Sequence, residues 1–359
     1  MYQSSALKPH HAQNHLADVR SDTVTRPTPA MMDAINSAEL GDDVYGDDPT
    51  TNQLEALATE MFEKEDALFL SSGTQSNLTA VLAHCGRGDE YIIGNNFHIY
   101  TYEAGGTAVL GSAFPHPIAV DERGALSADA VRAAIKPDDA HLPMTKLVSV
   151  ENTVSGAAHD AAYMDEIAAV AHEHGLKTHC DGARLMNAAI ATGVAPARLT
   201  KAYDTVSICL SKGLGSPAGS VLVGEAKAIA RARRMRKMLG GGMRQTGLLA
   251  AAGIHALTHH VARLAEDHLR AEKLAAMLSK INGITVTSAE TNKIFVTLGD
   301  DGHLLDDQAI ASLGDFMAER GVRITPGRQL RIVLHLDISD DDCATIARAF
   351  ADFIDHYAG

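Results

Sequence analysis

Cysteine is scarce in this chain. Four of its 359 residues are Cys, at 85, 180, 209 and 343, and none stands in a Cys-x-x-Cys pair. That spacing argues against a disulfide framework and a thiolate zinc site, and makes a reducing cytoplasm the expected location. Long apolar runs are also missing. No stretch reaches the roughly 18 residues that a membrane-spanning helix needs, and residues 1–17 lack the apolar centre of a signal peptide. That segment reads as a polar tail in which His10, His11 and His15 are solvated rather than metal-bound. Basic charge is in deficit, with Lys and Arg numbering 31 against 45 Asp and Glu, a net charge of −14. Such a surface suits neither nucleic acid nor anionic membrane. There is no internal repeat and no low-complexity linker.

What remains is the composition of a globular protein, 46% hydrophobic and 21% charged, at a length that favours two cores. From about residue 52 to 225, apolar runs alternate with amphipathic stretches. The runs are DALFL, EYIIG, SAFPHPIAV, TKLVSVEN, LKTHCDG, DTVSICLS and SVLVGE. Helical text lies between several of them, as in TQSNLTAVLAHC and MDEIAAVAHEHG. Strands apolar on both faces and separated by helices predict a mostly parallel sheet covered on both sides. After Gly242 the pattern changes. Residues 246–281 read as long helix with few interruptions, followed by the short strands ITVTS, KIFVTLG and QLRIVLHLD and two more helices, the last opening at SDDDC. The expected division is a tail over 1–17, a large α/β domain over 18–245, and a linking helix with a smaller α+β domain over 246–359.

In open α/β sheets, ligands bind beyond the carboxyl ends of the strands. Three segments just past apolar runs carry chemistry. Ser71-Ser72-Gly73-Thr74 opens a helix whose free amides suit a phosphate; its plain alternative is a turn and helix cap. Asp181 ends LKTHC. Lys212 follows DTVSICL, where partial burial would make an amine nucleophilic; its plain alternative is a surface turn. An amine, a carboxylate able to hold a pyridine nitrogen protonated, and a phosphate cradle are together the parts that pyridoxal 5′-phosphate requires.

Around these residues the text resembles the low-specificity L-threonine aldolases, pyridoxal-phosphate enzymes of the aspartate-aminotransferase-like fold. The segments that carry the resemblance include VRSDTVTRPT (19–28), GDDVYGDDP (41–49), SSGTQSN (71–77), HIYTYEAGG (98–106), HCDGARLMNA (179–188), SICLSKGLGSP (207–217) and GGGMRQTG (240–247). It implies that Lys212 carries the cofactor and that Asp181 partners the pyridine nitrogen. Ser72, Gly73 and Thr74 would hold the phosphate, joined by Arg244 from a neighbouring subunit. His98 would stack on the ring, and Asn152 would touch its edge. Ser21, Arg184 and Arg331 would grip the substrate carboxylate, a task suited to guanidinium forks. Tyr45 would close a neighbour's site, and His141 would stand near the substrate hydroxyl. The implied reaction cleaves threonine, allo-threonine and related β-hydroxy-α-amino acids to glycine and an aldehyde. His98, or a water it shares with Glu103, would be the base. A homodimer or homotetramer follows from the shared sites, and no resident metal is implied.

One departure stands out. Where the family often reads Glu-Asn-Thr-His-Asn, this chain reads Glu151-Asn152-Thr153-Val154-Ser155. The basic run RARRMRKM reads as a solvated helix face or subunit contact, and His255 with His259 as an ordinary helical pair. Three alternatives stay open on sequence alone: a β-eliminating lyase, a transaminase, or a cofactor-binding sensor without turnover.

Overall fold

The computed structural model describes residues 16–299 and 305–357; His10, His11 and His15 lie outside them. The strands, in chain order, begin with β1 (Ala17–Asp18), β2 (Asp66–Leu70), β3 (Glu90–Gly94) and β4 (Phe114–Ile118). β5 (Thr145–Glu151), β6 (Lys177–Asp181), β7 (Thr205–Cys209) and β8 (Ser220–Gly224) follow. The last four are β9 (Ile284–Glu290), β10 (Lys293–Leu298), β11 (Val322–Arg323) and β12 (Gln329–Val333).

The seven apolar runs form one seven-stranded sheet in the order β2-β8-β7-β6-β5-β3-β4. β3 to β7 pair in parallel, and β8 runs antiparallel to both β2 and β7. The carboxyl ends of β2, β3, β5, β6 and β7 therefore share one edge, as the expected fold class requires. Burial on both faces explains the continuous apolar text: β3, β7 and β8 are buried at every position.

Local signals set the helices. Asp48 caps Pro49–Phe62 by accepting from the Thr51 amide at 2.8 Å, with proline at the first position. Leu54, Ala58 and Phe62 then fall on one buried face. Ser72 caps Gly73–His84. At the last helix, Asp340–Tyr357, Ser339 and Asp342 cap one another reciprocally at 2.8 and 3.1 Å.

The long helical stretch expected over 246–281 carries one marked interruption. Gly247–His255 widens into a five-residue π turn, Ala256–His260, before Leu264–Leu278 resumes. Widening of this kind reorients side chains at functional sites. Here the His260 Nδ1–H donates to the Leu214 carbonyl at 2.8 Å, gripping the loop after Lys212.

A second core gathers β9, β10 and β12 with the helices Leu264–Leu278, Asp307–Glu319 and Asp340–Tyr357. Ala17 and Val19 bury their side chains there, not with the large sheet. The Val19 amide donates to the Arg323 carbonyl at 2.9 Å, and its own carbonyl accepts from Val333 at 3.0 Å. The chain thus passes from the second core straight to Ser21 and Asp22, at the edge where the large sheet's strands end.

Candidate active site

Asp181 closes β6 and is buried. Its Oδ1 accepts from the Ala183 amide at 3.0 Å and its Oδ2 from Asn77 Nδ2 at 2.9 Å. The same Asn77 nitrogen donates to Glu103 Oε1 at 2.8 Å, and that oxygen also meets His98 Nδ1 at 2.8 Å. Behind Asn77, its Oδ1 lies 3.2 Å from His179 Nε2. A polar group deep in the sheet edge thus joins β6, the helix Gly73–His84 and the segment after β3. Ligand-type atoms of His98, Glu103 and Asp181 lie within 4.8 Å of one another.

The charges respond to burial. Hydrogen bonding to Glu103 raises the His98 pKa, against the opposing pull of desolvation. Burial raises Glu103, and Asp181 adds to it. Glu151, at the end of β5, is pushed up to about 7 by burial and by the Asp181 charge, although it accepts from the His98 amide at 2.7 Å.

Lys212 sits one turn past β7, partly exposed. Its ammonium approaches the Cys209 thiol and Asp22. Arg184, at the start of the helix Leu185–Thr192, binds Asp22 through two bonds, Nε to Oδ2 at 2.7 Å and Nη2 to Oδ1 at 2.5 Å. Burial alone would push the Asp22 carboxyl up, but Arg184, with Lys212 and Lys293 nearby, holds it well below the usual carboxylate range.

Several expected site residues stand differently. Arg184 already spends two donors on Asp22, so it meets a substrate as half of an ion pair. Asn152 is engaged within its own loop: its Nδ2 donates to the His159 carbonyl at 3.0 Å, and its Oδ1 accepts from the His159 amide at 3.2 Å. His141 stands apart, its ring 92% exposed and held by Asp139 at 2.7 Å. Tyr45 is 78% exposed, and Arg244 pairs with Asp42 at 3.0 Å on the same turn. Neither is joined to the Asp181 group within this chain. Ser21 caps its own short turn by accepting from the Thr23 amide at 3.2 Å. Arg331 donates to the Arg20 carbonyl at 3.2 Å. Part of the basic run is buried rather than solvated, since Arg236 forms an enclosed pair with Asp43. Sequence reading passed over Asn77, Asp22, Glu151, Lys293 and His260. The signals available were the family-like segments 19–28 and 71–77, which contain Asp22 and Asn77, and a lysine opening an otherwise apolar strand, KIFVTL.

The residues present fit pyridoxal 5′-phosphate. A Cβ on Gly73 would stand 2.5 Å from Cys209 Sγ, so only glycine lets the helix start lie this close to the Lys212 segment. Ser72 uses its side chain on the Gln75 amide at 3.2 Å, leaving the first amides of the helix for an anion. Glu103 Oε2 is buried without a hydrogen-bond partner beside Asp181. A parallel sheet whose carboxyl edge gathers Lys212, a buried Asp181 and this helix start defines a pyridoxal-phosphate-dependent enzyme of the aspartate-aminotransferase-like fold.

Comparison with known proteins narrows the class. The sequence profile of the β-eliminating lyase family matches residues 18–301. The chain is 48% identical over 339 residues to the low-specificity L-threonine aldolase of Escherichia coli (strain K12), covering 94% of this chain and 99% of that one. It is 45% identical over 343 residues to a probable low-specificity L-threonine aldolase 2 of Arabidopsis thaliana, covering 93% and 96%. A threonine aldolase structure from Leishmania major superposes with a TM-score of 0.78 at 22% identity, covering 94% and 99%. The chain belongs to the low-specificity L-threonine aldolase family, within the β-eliminating lyases.

Proposed function

We propose that this enzyme is an aldehyde-lyase that reversibly cleaves L-threonine, L-allo-threonine and related β-hydroxy-α-amino acids to glycine and an aldehyde. The observation that carries the reading is the pairing of Lys212 and buried Asp181 at the ends of adjacent strands, in a chain 48% identical to an aldolase of that kind.

Pyridoxal 5′-phosphate, when bound, supplies an electron sink for the bond broken at the substrate α-carbon. Lys212 would hold it covalently, Asp181 would keep its ring nitrogen protonated, and the Gly73 and Thr74 amides would take its phosphate. Asn77 fixes the Asp181 carboxylate, so the charge is oriented before the reaction begins. Ser21, Arg184 and Arg331 receive the substrate carboxylate, Arg184 being held in place by Asp22. His98 is the candidate base. With Nδ1 on Glu103, its Nε2 is left to take the β-hydroxyl proton. Glu103, with its raised pKa, keeps that proton within the pair.

Exposed Tyr45 and the Arg244–Asp42 pair on one turn support a neighbouring subunit at this face, in a homodimer or homotetramer. Four free, buried cysteines support a cytoplasmic location. Among the described residues, no helix is long and apolar enough to cross a membrane.

The test is product analysis with the four threonine stereoisomers and the cofactor-loaded enzyme. Glycine and acetaldehyde from the L-isomers are expected. The β-eliminating lyase match leaves a second reading, and pyruvate with ammonia from serine, without glycine from threonine, would replace the first with it. Nitrogen transfer to a keto acid would instead indicate a transaminase.

A further inference from the structure

Lys293 opens β10 and is only 4% exposed. Side chains alternate along a strand, and Ile294, Val296 and Leu298 point into the second core. Lys293 and Phe295 therefore face the other way, toward the large domain. In the pairing with β12, Lys293 lies opposite Val333 and Phe295 opposite Arg331. Lys293 and Arg331 are thus diagonal neighbours on one face of the small sheet. The Lys293 stem packs on Gly156, where even a methyl group would stand 3.1 Å from Lys293 Cβ.

Among the described residues none takes a hydrogen bond from Lys293 Nζ. The nearby carboxylate of Asp22 is already engaged, Oδ1 by Arg184 and Oδ2 by both Arg184 and Asn292. Four charged groups act on Lys293 from the elements around it. These are Arg184 from the helix start, Asp22 from the N-terminal segment, Arg331 from β12 and Glu151 from the end of β5. Lys293 and Arg184 meet there one carboxylate held ionised, Asp22, beside a Glu151 that burial pushes toward its neutral form.

We propose that Lys293 is a further substrate-binding residue, receiving the α-carboxylate of the amino acid together with Arg184 and Arg331. This rests on the aldolase reading above and adds to it a third cation, contributed by the small domain. Burial, then Arg184, hold the Lys293 ammonium well below the usual lysine range, against the opposing pull of Asp22. An arriving carboxylate reverses that balance, so Lys293 takes a proton from solvent as the amino acid binds.

The experiment uses the pyridoxal-phosphate-loaded enzyme and its Lys293→Met variant, which keeps an unbranched apolar stem against Gly156. Glycine and glycinamide, which lacks the carboxylate, are titrated by the change in the cofactor's visible spectrum. Glycine affinity should fall about tenfold or more in the variant, and glycinamide affinity less than about twofold. Calorimetry of glycine binding in two buffers of different ionisation enthalpy should show proton uptake by wild type that is missing from the variant. Equal weakening of both ligands, or unchanged glycine affinity, overturns the assignment. If Lys293→Met fails to fold, Lys293→Gln takes its place. The wild-type measurement decides independently, because glycine binding without proton uptake also overturns the proposal. Failure of wild type to cleave threonine or bind glycine overturns the functional reading and this inference together. Normal cleavage with unaltered glycine binding in the variant overturns this inference alone.

Discussion

Asn77 donates from one side-chain nitrogen to two buried carboxylates, Asp181 at 2.9 Å and Glu103 at 2.8 Å. A single donor thus ties the acid meant for the pyridine nitrogen to the partner of His98. Two like charges this close disfavour joint ionisation, and Asn77 offsets part of that repulsion. Asn77→Ala should weaken pyridoxal-phosphate binding by about tenfold, the usual scale for a lost hydrogen bond to a charged group. Equilibrium dialysis of the cofactor measures it. An unchanged dissociation constant would mean that Asp181 needs no such support.

Gly73 shows how closely the phosphate cradle approaches the Lys212 segment. Gly73→Ala would place a methyl 2.5 Å from Cys209 Sγ, and the cysteine is buried with little room to move. Cofactor affinity should drop sharply in the single variant. Removing the sulfur restores the space, so Gly73→Ala combined with Cys209→Ala should recover most of the loss. If the double variant binds no better than the single one, the conformation of Gly73 matters rather than the contact.

Much of this was legible beforehand, and the boundary has a physical cause. Strands buried on both faces write themselves as apolar runs, so all seven of the large sheet could be placed. Lys212 and Asp181 follow such runs directly, and position alone marked them. The contacts that orient them are different. Asn77 and Asp181 are 104 residues apart in sequence, and Arg184 and Asp22 are 162 apart. Neither member of these pairs has a local reason to be where it is. The contacts of Asn152 with His159 are local, seven residues apart in sequence, yet nothing in the text marks them either. The π turn at Ala256–His260 leaves the helical periodicity of its text almost intact. It shows only in the backbone of the fold, where the His260 contact with Leu214 accompanies it.

Glu151 should impose a pH dependence on the stability of the cofactor-free protein. Unfolded, its carboxyl ionises near a pKa of about 4.3; folded, burial and Asp181 push it up to about 7. The folded state therefore binds the proton more tightly, so the contribution of Glu151 to stability is fully present below the unfolded pKa and is lost as pH rises through about 7. Glu151→Gln keeps an oxygen for the His98 amide while removing the titration. The variant should melt several degrees higher than wild type at pH 8, with a smaller difference at pH 5, in thermal denaturation at fixed protein concentration. Parallel melting curves across that range would show that Glu151 stays charged in the folded protein.

The pair of Arg236 and Asp43 tests the anchoring of the turn that carries Asp42, Tyr45 and Gly46. Both side chains are enclosed, at 4% and 3% exposure, and their charges meet at 2.6 Å. Arg236 also donates to the Phe69 carbonyl at 2.7 Å, so one guanidinium binds the turn to the edge strand β2. A buried ion pair adds little over a well-packed apolar pair, but half of one is costly, because the remaining charge is left in a poor solvent. Asp43→Ala should therefore lose roughly 3–5 kcal/mol, read as a lowered melting temperature. Asp43→Leu with Arg236→Met should recover part of it, since no charge is then left buried, while the Phe69 carbonyl loses its donor. Activity should separate from stability in that double variant. If the turn serves a neighbouring subunit through Tyr45, a refolded, stable double variant will show weakened assembly in sedimentation velocity. If it sediments as wild type does, the turn holds its shape without the ion pair, and the pair's contribution is confined to the fold of its own chain.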